Sequence, residues 1–243
     1  MKKSLICILI LFMSLQVNAQ KADSTQVVRK NDVRLMLTDL INNAYHFNYE
    51  RLVGKQLSVG LGVGIKSEEG LIRLSGLDTE HVKTSDLDYS GFKIVPEVRY
   101  YFKKSTLYAM DGFYIGAYGK YSRFKSELFG TYINDADESF IIDFDANIRV
   151  FSAGLLAGYK LRITPRIVMD FIIAGPGLGF YRFSFKQKSD LLPDEFYEDL
   201  NEALDNYSLF DFINSDFEFK RVDTRSRFTV PSFRYGISVG YSF

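Results

Sequence analysis

The chain holds only two histidines, His46 and His81, and one cysteine, Cys7. A histidine flanked by a serine and an acid could hydrolyse or transfer a lipid acyl group, because imidazole can take up the serine proton. His46 stands in "AYHFNYERL" and His81 in a polar stretch, and no spacing selects a serine for either. Both read more simply as solvated or interior-lining side chains. The stretch "GPGLG" (Gly175 to Gly179) looks like a phosphate-cradling loop, but no helix pattern follows it, as such a loop requires. "NDADE" (Asn134 to Glu138) supplies the acids of a calcium loop without its glycine or its bidentate glutamate at the required spacing. No cofactor motif is present. What remains is a set of charges, Glu50, Lys93, Glu97, Arg99, Lys120, Asp170, Arg182 and Arg234, whose significance depends on the elements that carry them.

Those elements are strands. In "LSVGLGVGIK", Leu57, Val59, Leu61, Val63 and Ile65 share one face, and Ser58, Gly60, Gly62, Gly64 and Lys66 the other. Strict alternation of this kind marks a strand whose two faces meet different surroundings. "GFKIVPEVRYYF", "FYIGAYGKYSRF", "RVFSAGLLAGYKL", "RIVMDFIIAGPGLGFYRFSF" and "RYGISVGYSF" follow the same rule. Each of the eight charges falls on the minor, polar face in this register. Pro96 cannot donate to a strand ladder, so a local bulge is expected there.

Eight strands are expected, over about 32–41, 45–53, 56–66, 91–103, 112–125, 148–162, 166–186 and 228–243. The pair Asn42-Asn43 separates the first two, and Asp39 interrupts the apolar face of the first. Short turns around Gly54-Lys55, Lys103 to Asp111 and Thr164-Pro165 alternate with long connections at about 67–90, 126–147 and 187–227. Short turns on one side and long loops on the other, with an even strand number, describe an antiparallel transmembrane β-barrel of the outer membrane.

The start fits that location. Lys2 and Lys3, the apolar run Leu5 to Leu15 and then Val17-Asn18-Ala19 have the order of a cleaved signal peptide over 1–19. Residues 20–31 would then be a periplasmic lead and 32–243 the barrel. Cys7 lies inside the leader, so neither a disulfide nor thiol chemistry is expected of the exported chain. Thirty basic residues balance thirty acidic ones, and loss of Lys2 and Lys3 leaves a slight acidic excess. Scattered charge of this kind gives no footing for nucleic acid.

A soluble eight-stranded barrel would put its apolar face inside. Here the polar face is mainly glycine and serine with a few long charged residues, a poor surface for water but a good filling for a narrow lumen. Aromatic residues gather near strand ends, as at Tyr100 to Phe102, Phe113-Tyr114, Phe180 to Phe185, and Tyr241 with Phe243, where two interfacial girdles would lie. Tyr241 and Phe243 also match the terminal aromatic pattern by which outer-membrane strands are recognised for insertion.

With "VNAQ" at the cleavage site, "NYERLVGKQLSVGLGVG" and the terminal "GYSF", the chain resembles the small outer-membrane β-barrels of Bacteroidetes, with an eight-stranded architecture of OmpA/OmpX type. The resemblance implies a fold and a place in the outer membrane of a Gram-negative bacterium, and it carries over no catalytic residue. The expected partners are outer-membrane lipid and, during insertion, the barrel-assembly machinery. Function is expected to be structural or surface-interacting, with a lipid-modifying enzyme and a small, porin-like channel for ions or solutes as alternatives.

The last long connection is distinctive. Ten acids and no lysine or arginine fall between Asp190 and Glu218. "PDEFYEDLNEALDNY" sets Phe196, Leu200, Ala203, Leu204 and Tyr207 at helical spacing, with Pro193 and acids at the start. A short helix is expected here, either resting on the barrel rim or offering its apolar stripe to an extracellular protein partner. If the terminal aromatics are an assembly signal, Phe243→Ser will lower the amount of protein in the outer membrane. Unchanged outer-membrane levels in a cell-fractionation assay would refute that role.

Overall fold

The computed structural model describes residues 29–67, 76–86, 88–102, 110–188, 192–205 and 225–243. The expected signal peptide, most of the periplasmic lead, much of the turn from Lys103 to Asp111, and Tyr207 of the helical stripe lie outside the described residues.

In chain order the elements are β1 (Asn31–Met36), α1 (Leu37–Leu40), β2 (Ala44–Leu52), β3 (Leu57–Lys66), β4 (Val82–Thr84), β5 (Tyr89–Tyr101), β6 (Gly112–Ile133), β7 (Ser139–Arg162), β8 (Ile167–Ala174), β9 (Pro176–Gln187), α2 (Asp194–Asp205), β10 (Arg225–Phe233) and β11 (Gly236–Ser242). All described pairings are antiparallel. Eight strands close into a ring in the order β1-β2-β3-β5-β6-β7-β8-β11, with β11 returning to β1. The seam is tight, because the Asn31 and Phe243 amides each donate to the other's carbonyl, at 3.1 and 2.9 Å.

The alternation sorts as the sequence suggests. Leu57, Val59, Leu61, Val63 and Ile65 point outward and are exposed, while Ser58 and Lys66 are buried inside. The same holds for Phe92, Ile94, Val98 and Tyr100 against Glu97 and Arg99, and for Phe151, Leu155, Tyr159 and Leu161 against Ser152 and Lys160. The ring is therefore apolar outside and polar inside, the reverse of a soluble domain. The inward glycines of β3 make room for long neighbours. A Cβ at Gly60 would lie 2.9 Å from Glu97 Cγ, and one at Gly62 would lie 2.5 Å from both Asn48 Oδ1 and His46 Nε2.

Four expectations need correction. The first strand ends at Met36 rather than near residue 41, and the chain makes a helical turn, because Asp39 turns inward to His46 and Lys93. Asn43 takes the left-handed conformation (φ 50°) that closes the reversal into β2. Residues 126–147 are no loop. They extend β6 and β7 into a long hairpin, with Asn134 Oδ1 accepting from the Ala136 and Glu138 amides and Asp137 at φ 60°. "NDADE" is thus a hairpin turn. Third, the ladder between β5 and β6 pairs residue for residue to Ile94 and resumes at Glu97, and β3 pairs with β5 without a shift through Pro96. The register with β6 is the same on both sides of Pro96, so no bulge forms there and only the pairs at Val95 and Pro96 are missing.

The fourth correction concerns the seventh strand, which breaks at Gly175. Ala157 pairs with Ala174, but the next residue, Gly158, pairs with Ile172, so Ile173 is an extra residue in the ladder. Such a bulge exchanges the two faces beyond it. Val168, Asp170 and Ile172 face inward below it; Leu178 and Phe180 face outward above it. Arg182 therefore points out and is exposed, not into the interior.

Above the ring, β4, β6, β7, β9 and β10 continue as an arm. Its inner face carries Val82, Leu128, Tyr132, Ile142 and Phe144, which pack with Leu192, Phe196 and Tyr197 into one apolar cluster. Phe196 stacks on Phe144 at 6.0 Å and meets Tyr132 edge-on at 5.3 Å. Tyr132 donates to Asp199 at 2.8 Å. Phe196 and Leu200 of the α2 stripe consequently pack against this arm, and Ala203 is buried. Phe196→Ala should cost about 3–5 kcal/mol locally. Hydrogen exchange should accelerate in 126–147 and leave β3 protected; equal loosening of both would show that arm and ring are one unit.

Candidate functional site

One cluster of charges crosses the interior, and every strand of the ring contributes to it. β1 brings Asp32 and Arg34, β2 Glu50, β3 Ser58, β5 Glu97, Arg99 and Tyr101, β6 Tyr114, β7 Lys160, β8 Asp170 and β11 Ser242. All of these side chains are buried.

Asp170 lies at the centre. Its Oδ2 accepts from Arg34 and, at 2.8 Å, from Arg99, and its Oδ1 accepts from the Tyr114 hydroxyl at 2.8 Å. Glu50 forms the second node. It pairs with Arg34 at 2.8 Å and Lys160 at 2.7 Å, and accepts from the Ser58 and Tyr101 hydroxyls at 2.6 Å each. Lys160 also reaches Asp32 at 2.7 Å, whose other oxygen accepts from Ser242 at 2.5 Å. Glu97 closes the set against Arg99 at 2.8 Å and Arg234 at 2.9 Å. Arg99 lies 4.4 Å over the Tyr114 ring and Lys160 5.3 Å from the Tyr101 ring. Four acids (Asp32, Glu50, Glu97, Asp170) thus meet four bases (Arg34, Arg99, Lys160, Arg234).

A second, smaller group sits nearer the long loops. His46 Nδ1 lies 2.8 Å from Asp39 Oδ2, and Lys93 Nζ lies 2.5 Å from the same oxygen. Lys120, half-buried on β6, has no ion-pair partner among the described residues. His46 has acquired an acid but no nucleophile: among the described residues no hydroxyl hydrogen-bonds to it, and its Nε2 is buried beside Gly62. His81 stands apart on the arm. Its Nδ1 donates to the Ile133 carbonyl at 3.0 Å, and that bond raises its pKa above the ordinary imidazole value.

Of the eight charges expected on the polar face, Glu50, Glu97, Arg99, Asp170 and Arg234 meet in the central cluster. Lys93 belongs to the upper group, Lys120 faces inward alone, and Arg182 faces outward. Tyr241 is half-buried, its hydroxyl accepting from Arg166 at 2.8 Å, and Phe243 is exposed beside the seam. Sequence reasoning missed Asp32, Arg34, Lys160 and the two tyrosines. Parity held the signal, since Asp32, Arg34 and Lys160 all occupy polar-face positions of strands already recognised. Among the described residues no group of histidine, cysteine, aspartate and glutamate is placed to hold a metal.

Fold and cluster together define an antiparallel ring of eight strands, apolar outside and ion-paired across its interior. The chain belongs to the family described as protein of unknown function (DUF3575), whose model matches residues 5–201. Comparison with curated proteins gives no match. Among solved structures, the crystal structure of Acinetobacter baumannii CarO is similar at 10% identity and a TM-score of 0.40, over 90% of this chain and 100% of that one.

Removing one member of a buried ion set leaves the others uncompensated, at a cost of about 3–5 kcal/mol. Lys160→Met should therefore destabilise strongly. Adding Asp32→Asn should recover part of the loss, because the carboxylate that Lys160 leaves unpaired is then gone, while Glu50 keeps Arg34 and Arg99. Denaturant midpoints of the folded protein would test this, and strictly additive losses would show that the cluster does not act as a unit.

Proposed function

We propose that the protein is an integral β-barrel of the Gram-negative outer membrane, of the small eight-stranded type, with a sealed lumen and a structural role at the cell surface. One observation carries this reading: the outer wall of the ring is a continuous belt of exposed large apolar side chains around a charged interior. Monomers in water rarely expose contiguous apolar patches beyond a few hundred Å². In lipid the same wall is favourable, and ring closure leaves no strand edge in hydrocarbon. The leader-like order of residues 1–19 supports export, and the short turns would face the periplasm, with the arm of β6 and β7 outside.

The central cluster bears on the two alternatives. An interior of eight strands is just wide enough for side chains, and here it is filled by Arg34, Arg99, Lys160 and their acids. Open conduction has no path through such a filling. A lipid-modifying enzyme needs a nucleophile beside His46, and none is hydrogen-bonded to it among the described residues. Surface interaction, if the arm takes part in it, would use residues other than the buried Phe196 stripe.

The protein should require detergent for extraction and should be heat-modifiable, the unboiled band running apart from the boiled one on a denaturing gel. In planar bilayers it should give no discrete conductance. A chain that stays monomeric in detergent-free buffer would overturn the membrane assignment, and regular single-channel steps would overturn the sealed lumen.

A further inference from the structure

Arg182, turned outward by the bulge at Ile173, is one of four arginines in a single cross-strand row. Arg123 on β6 pairs with Arg149 on β7, Arg149 with Arg182 on β9, and Arg182 with Arg227 on β10. Arg149, Arg182 and Arg227 are exposed. Arg123 is half-buried, with its Nε 3.4 Å from Asn147 Oδ1. Among the described residues none of the four has an acidic partner. The nearest outward acids toward the long loops, Glu127 and Asp145, are already held by Lys188 at 3.1 and 2.6 Å.

Like charges directly opposite each other destabilise a sheet, so an unneutralised row of four is costly. Its height is informative. One pair step toward the short turns lies the row Tyr121, Phe151, Phe180 and Thr229, with Phe151 and Phe180 stacked at 6.3 Å. Arg149, Arg182, Arg227, Phe151, Phe180 and Thr229, together with Tyr181 and Phe228 from the other face, line a depression of about 480 Å³. Along β6, Arg123 lies ten residues from Phe113 at the short-turn end. At roughly 3.3 Å per residue and a tilt near 40°, that is about 25 Å along the barrel axis, the height of a lipid-facing apolar band. The arginines therefore stand just beyond the upper aromatic girdle, at headgroup level.

We infer that this row is a docking site for the phosphate-bearing headgroup of an outer-leaflet lipid, whose acyl chains lie against Phe151 and Phe180. The inference rests on the membrane reading above. The arginine fork matches phosphate oxygens in bidentate geometry, and it does so best where water is scarce. Three adjacent strands hold Arg149, Arg182 and Arg227 across about 10 Å, two inter-strand spacings, so one headgroup can meet all three. Charge complementarity selects an anionic lipid over a zwitterionic or sugar-only one.

The test uses the full-length protein in phosphatidylcholine vesicles doped with lipid A or with its phosphate-free counterpart. Folding is first scored by heat-modifiability, which separates a failure of the membrane reading from a failure of this one. Lipid recovered with the folded protein should be enriched in lipid A over the phosphate-free form by on the order of tenfold or more. R149Q/R182Q/R227Q should keep heat-modifiability and lose that enrichment. Should this variant not fold, R149K/R182K/R227K replaces it. It keeps the charge but loses the fork, and should bring a several-fold loss. A folded wild type with equal recovery of both lipids would overturn the proposal. So would unchanged enrichment in the variant, or complete displacement of lipid A by inorganic phosphate.

Discussion

Asp170 and Glu50 are the contacts on which the rest of the ring depends. Arg34 bridges both carboxylates, Arg99 adds a second strand to Asp170, and Lys160 ties Glu50 to Asp32. Backbone ladders join each strand to its neighbours, but these ions join strands across the interior. Taking so many charges from water is expensive, and the expense is offset only where each charge meets several partners in good geometry. The tyrosine and serine hydroxyls of Tyr101, Tyr114, Ser58 and Ser242 complete the oxygens that the bases leave open. The glycines of β3 are part of the same solution, because long side chains opposite them have nowhere else to lie.

The alternation made the fold legible. Five outward aliphatic residues in "LSVGLGVGIK" and its counterparts specified strands, faces and which face would be greasy. The charges on the polar face were legible as a class, and five of the eight meet in one place. What the sequence concealed was phase. One surplus residue at Ile173 reversed the faces of β9 and carried Arg182 outside, and no composition signal marks a bulge within an apolar run such as "FIIAG". Residues 126–147 were concealed by their charge. Glu127, Asp143 and Asp145 look like loop residues until the inward set Leu128, Tyr132, Ile142 and Phe144 is seen to need α2 as a cover.

The ring is uneven in height. β1 has six residues and gives way to a helical turn, whereas β6 has 22 and β7 has 24. The tall side rises into the arm, and α2 packs on the arm's inner apolar face. Polar side chains change role along this wall: ion pairs inside the ring, a row of outward arginines above the aromatic belt, and mixed acids and bases higher still. Each change follows from the surroundings the strand has reached.

The seam between β1 and β11 sets a clock. Asp32 and Ser242 stand 210 residues apart in sequence, Lys160 and Asp32 128, and Arg34 and Asp170 136. Contacts of such separation form late, because chain entropy must be lost before they give anything back. Until β11 reaches β1, Asp32 and Arg34 are held by one strand neighbour alone and lack their partners Lys160, Asp170 and Ser242. A half-built sheet is thus self-marking: its β1 edge carries the charges of Asp32 and Arg34 away from Lys160 and Asp170. Closure pairs those charges in a single event, so the last strand to arrive determines when the interior network is complete.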